Sequence, residues 1–128
     1  MELGRQIRLD LPYAQALKRV KEVFADNGFG TLTEIDVRAT LQEKLGEEME
    51  DYAILGVCNP QLAHRALGID RRLGLLLPCT VVVRSDGDAT IVDALNPQVM
   101  VQVPGNEDLH PVADEAAARI ESALSQLA

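Results

Sequence analysis

The chain has 128 residues, 47% of them hydrophobic and 25% charged, with no Trp and a formal net charge of −8 at pH 7. That length suits one domain around a single core, and the acidic balance, with basic residues scattered among acids as in "KRVKE", argues against a nucleic-acid partner. Aromatic residues make up 3%, so Leu, Val, Ile and Ala must fill the interior, and a site built on stacked rings is not expected.

The opening "MELGRQIRLDL" carries charges throughout and has no apolar signal core. The most apolar run, Leu73 to Val83, is broken by Pro78 and is far shorter than the roughly 20 residues that span a bilayer. Two cysteines are too few for a disulfide scaffold. The expectation is a reduced, cytoplasmic protein with no membrane partner.

In chain order, "RQIRLDL" predicts a first strand over Gln6 to Leu11, and Pro12 suits the first turn of a helix because its missing N–H costs nothing there. Tyr13, Ala16, Leu17, Val20 and Phe24 then recur at helical spacing, and Asn27-Gly28 stops the helix. "GFGTLTEID" predicts a second strand, and Asp36 is placed to cap a short helix, "VRATLQEKL", that Gly46 ends. Glu47, Glu48, Glu50 and Asp51 form an exposed acidic turn.

Tyr52 to Cys58 is a mostly apolar third strand, expected in the centre of the sheet. Asn59 caps and Pro60 opens the next helix, with Leu62, Ala63, Ala66 and Leu67 facing inward. "TVVVRS" and "ATIVDAL" read as strands joined by a hairpin turn at Asp86-Gly87. Asn96-Pro97 begins a turn or short helix containing Val99 and Met100, "VPGNEDLHP" is a loop, and Pro111 to Leu127 forms a last helix. These elements predict a single compact domain over residues 1–128 of the α+β class, with a mixed, largely antiparallel sheet of four to five strands and helices packed on it.

Three segments, "GFGTLTEIDVRATLQEKLG" (Gly28 to Gly46), "ILGVCNPQLAHRAL" (Ile54 to Leu67) and "GLLLPCTVVVR" (Gly74 to Arg84), together resemble the small bacterial and archaeal family catalogued as domain of unknown function 302. "DALNPQVM" at Asp93 to Met100 fits its pattern as well. The resemblance implies a compact α+β fold and a dimer. It brings no established reaction, cofactor or ligand.

Chemistry has to be sought at the thiols. Cys58 and Cys79 are too far apart in sequence for a C-x-x-C redox motif or half of a paired zinc knuckle. Cys58 precedes a helix start, where free backbone N–H groups and the helix dipole favour a thiolate. Whether the two meet depends on topology. A parallel crossover between their strands separates them, whereas an antiparallel arrangement brings their Cα atoms within the roughly 4.4–6.8 Å that a disulfide needs. The alternatives are two buried, inert structural cysteines or a metal site shared between two subunits.

His64 does not share a helix face with Cys58, and His110 simply leads into the last helix, so no single-chain metal site is expected. "GFGTL" lacks the third glycine of a dinucleotide fingerprint, and no phosphate loop is present. The functional expectation is a homodimeric module binding a small ligand, or serving assembly, at a pocket around Cys58, Asn59 and Cys79, with Asp36 as a further candidate. The alternatives are a thiol-based redox enzyme or sensor using Cys58 and Cys79, and a structural protein that binds partners through the acidic turn.

Overall fold

The computed structural model describes residues 2–128. Five strands, β1 (Gly4–Leu9), β2 (Gly30–Asp36), β3 (Tyr52–Cys58), β4 (Cys79–Asp86) and β5 (Ala89–Leu95), form one sheet in the order β1-β5-β4-β3-β2. Every neighbouring pair is antiparallel. The expected α+β fold is therefore present, with no parallel pairing in its sheet. β4 takes the central place expected for β3, which lies one strand further out.

Pairing partners share a face, so the sheet can be read in rows across its strands. The row Ile7–Val92–Val83–Ala53 and the row containing Ala94, Val81 and Leu55 face helices α1 (Tyr13–Asp26), α3 (Pro60–Ile69) and α5 (His110–Leu127). Between them lies the core, built of Val20, Val23, Phe24, Leu62, Ala116 and Ile120 with the inward Val and Leu of the strands. Phe24 meets Phe29 edge-on, ring centroids 6.2 Å apart, an arrangement the ring quadrupoles favour. The opposite row, Gln6–Asp93–Val82–Ile54–Ile35, lies on the other face, where none of these side chains is buried.

Local chemistry fixes most boundaries. Asp36 caps α2 (Val37–Leu45) by accepting from the Ala39 N–H at 2.9 Å, and Gly46 ends it with φ +69°. Gly87, also at positive φ, turns the β4–β5 hairpin where Asp86-Gly87 predicts it. The first strand starts and ends two residues earlier than the pattern predicts, because its register with β5 runs from Gly4↔Leu95 to Leu9↔Thr90. Leu11 lies beyond the ladder, and its carbonyl accepts from the buried Thr90 hydroxyl at 2.9 Å.

The apolar run before Cys79 is not extended. Residues Arg71–Leu76 form a 3₁₀ helix opened by Asp70, whose carboxylate accepts from the Arg72 N–H at 2.9 Å. Within the expected loop after the short helix α4 (Val99–Gln102), Glu107–Leu109 makes a further 3₁₀ turn.

Candidate functional site

β3 leaves the sheet at Cys58, and Asn59 turns the chain into α3. The Asn59 side-chain oxygen accepts from the Leu62 N–H at 3.1 Å, and Pro60 occupies the first turn. The chain comes back as the antiparallel neighbour β4, whose first residue, Cys79, stands opposite Val57. The antiparallel alternative thus holds, and both cysteines lie at one end of the sheet, Cys79 on the helix-covered face with its partner Val57 and Cys58, paired with Gly30, on the alternate face.

Both line one pocket, together with Phe29, Val57, Asn59, Leu62, Ala63, Ala66, Leu77, Met100, Val112 and Ala116. Its free volume is about 20 Å³, close to the minimum that holds one water molecule. Neither cysteine is in a disulfide, and both are partly buried. Burial pushes both thiols up in pKa, and at Cys79 the nearby Cys58 adds to the effect and the value reaches about 11. Both groups are therefore neutral thiols at neutral pH.

Asn59 is buried, with 8% of its surface exposed. Its amide nitrogen lies where a side chain on Gly28 would stand: a Cβ there would be 2.8 Å from Asn59 Nδ2 and 3.2 Å from Arg119 Nη1, and Gly28 has φ +91°. Only glycine suits that position. On the other face, a Cβ on Gly56 would meet Thr33 Cγ2 at 2.6 Å and Pro78 Cγ at 2.8 Å, so Pro78 closes tightly over β3 just before Cys79.

Asp36 does not join this site. Cys58 pairs with Gly30 at one end of β2 and Asp36 pairs with Ala53 at the other, about 20 Å away at ~3.3 Å per residue. Its carboxylate is occupied as the α2 cap, beside Arg38 and Asp51, which pair at 2.9 Å. His64 is exposed on α3, and His110 pairs with Glu107. Among the described residues no group of three or more His, Cys, Asp or Glu side chains is placed to hold a metal ion, and no helix is long and apolar enough to cross a membrane.

Met100 is the site residue that sequence reasoning did not assign. It lies on α4, four elements after Cys58, and its spacing to either cysteine carries no signal. Only the return of the chain brings it to the pocket that Cys58 and Cys79 border.

A family model described as "Domain of unknown function DUF302" matches residues 5–127. The crystal structure of an uncharacterized conserved DUF302 protein from Bacillus stearothermophilus is similar over 100% of both chains, with 26% sequence identity and a TM-score of 0.92. No curated protein matches.

Proposed function

The chain belongs to the DUF302 family, whose description assigns no activity, and from its own geometry we propose a non-enzymatic module that works as a homodimer and takes a small ligand at the pocket of Cys58, Asn59, Cys79 and Met100. The observation that carries this reading is that both cysteine residues and the buried Asn59 cap border one pocket.

The redox alternative draws on the same pocket but needs a ready thiolate. Burial raises both thiols, which works against nucleophilic attack at neutral pH. Two free thiols agree with a reducing, cytoplasmic setting.

Self-association is supported by the open sheet face and its edge. Leu32, Ile35 and Leu45 are 69%, 46% and 68% exposed. A five-stranded face of this strand length offers on the order of 500 Å², against about 800 Å² per partner in a standard interface. A second copy therefore has to cover the β2–α2 edge as well as the face.

Two measurements test the proposal. Reaction of the folded protein with a small neutral thiol reagent is expected to modify Cys58 well before the unfolding transition. If both cysteines stay shielded until the chain unfolds, the pocket is not a binding site. Sedimentation at micromolar concentration is expected to give twice the chain mass, and a monomer there overturns the homodimer.

A further inference from the structure

Two hydrogen-bond donors converge beside the pocket. The Asn59 side-chain oxygen is committed to the Leu62 N–H, which fixes the amide nitrogen on the other branch, toward Gly28. That nitrogen and Arg119 Nη1 lie 2.8 Å and 3.2 Å from one point, the place a Cβ on Gly28 would take. Among the described residues neither atom donates to the chain, since Asn59 bonds through its oxygen and Arg119 meets Glu115 through Nε. We propose that this corner is the head-group site for a small monocarboxylate whose alkyl end enters the adjoining pocket. The inference rests on the pocket reading above and names its ligand class.

Corner and pocket share their walls. Asn59 lines the pocket itself, Gly28 precedes its wall residue Phe29, and Arg119 stands one turn beyond Ala116 on α5. Asn59 is 8% exposed. Among the described residues no side-chain nitrogen or oxygen is both sealed from solvent and unpaired, so the Asn59 Nδ2 is reached from outside. A donor set this deep gains from a partner, because a buried polar group without one is costly.

Charge selects a singly charged anion. Glu115 divides its oxygens between Arg65 Nη1 at 3.2 Å and Arg119 Nε at 3.4 Å. Two guanidiniums thus share one carboxylate, and this triad keeps one positive charge in a chain whose net charge is −8. The ten-residue helix α3, opened by Asn59, adds a field that favours an anion at its N-terminus. An oxygen lying outward of the Gly28 Cα can meet both donors at the ordinary hydrogen-bond length of about 2.7–3.2 Å, and a flat guanidinium suits a carboxylate. Inorganic phosphate brings no group for the pocket, whose walls include Phe29, Val57, Leu62, Ala63 and Ala116.

The experiment titrates the isotope-labelled full chain with sodium acetate, propionate and butyrate at constant ionic strength, following the Asn59 side-chain amide and the Arg119 Nε–H by NMR. Both signals are expected to move together and to saturate, and affinity to rise about fourfold for each methylene the pocket takes in. Propionamide and inorganic phosphate should leave both signals in place. Arg119→Gln should weaken propionate binding at least about tenfold, the loss of a charge-assisted hydrogen bond. Asn59→Asp keeps a good helix cap but sets an oxygen where the donor stood, and it should abolish binding while α3 stays protected from amide exchange.

Arg119 is half-exposed, so its variant remains informative if the Asn59 variant fails to fold. An equal response to propionate and propionamide, affinity independent of chain length, or wild-type affinity in either folded variant overturns the proposal. If the small thiol reagent reaches Cys58 but no carboxylate moves the two signals, the ligand class falls and the pocket reading stands. If neither enters, both fall.

Discussion

The helix-covered side of the sheet and the β2–α2 arm are built from similar residues and end in opposite states. On the covered side Leu55, Val81, Val83 and Val92 are each at most 1% exposed, interleaved with α1, α3 and α5. On the arm, no residue of β2 or α2 is buried, although β2 carries Leu32 and Ile35 and α2 carries Val37, Leu41 and Leu45. β2 is held by its ladder to β3, by an ion pair between Lys21 and Glu34, and by the Asp36 cap, and exposed pairs of this kind contribute little. Apolar content alone therefore does not decide what the core contains. Position relative to the helices does.

The most forceful way to break the comparison is to cut equivalent side chains on the two sides. Leu55→Ala should cost about 2–5 kcal/mol in urea unfolding, whereas Ile35→Ala should stay within about 0.5 kcal/mol at concentrations where the chain is a single copy. A comparable cost for Ile35 in a monomer would remove the distinction. Next in size, Gly28→Ala should cost about 2 kcal/mol, since its positive φ and the contact with Asn59 both resist a methyl group. A neutral result would mean that Asn59 moves aside freely.

The two helix caps sharpen the contrast further. Asn59→Ala and Asp36→Ala should each cost about 1 kcal/mol, but with different reach. Amide exchange in the Asp36 variant should quicken in β2 and α2 alone, while the Asn59 variant should also speed modification of the pocket thiols. A further contrast concerns pH. The folded state keeps the Cys79 proton up to about 11, while an unfolded chain loses it near about 8.5. The folded state then binds more protons across that window, so the contribution is intact below it and stability falls as pH rises through it. Replacement of Cys79 by Ala should flatten that fall.

Much of this architecture is legible in residue pattern. The β4–β5 hairpin, the Asn59-Pro60 helix start and the Asp36 and Gly46 boundaries follow from local chemistry, and local chemistry won. The pairing of β3 with β4 is different. Their connection holds a full helix and a 3₁₀ segment, the kind of length that also serves parallel crossovers, so the placing of both cysteines at one end of the sheet is written only in three dimensions. The exposure of β2 is equally hidden, because Leu32 and Ile35 look like any half-buried strand residues. Met100 escaped for a third reason: a thioether on a short helix reads as filler until its neighbours are known.

The strand order has a bearing on how the chain is made. β1 pairs only with β5, so Gly4 waits for Leu95. During synthesis the first strand therefore leaves the ribosome without a companion and stays unzipped while three others arrive. The β4–β5 hairpin, closed by a two-residue turn, is the natural place for assembly to begin, and docking of the amino-terminal strand is the step that completes the sheet.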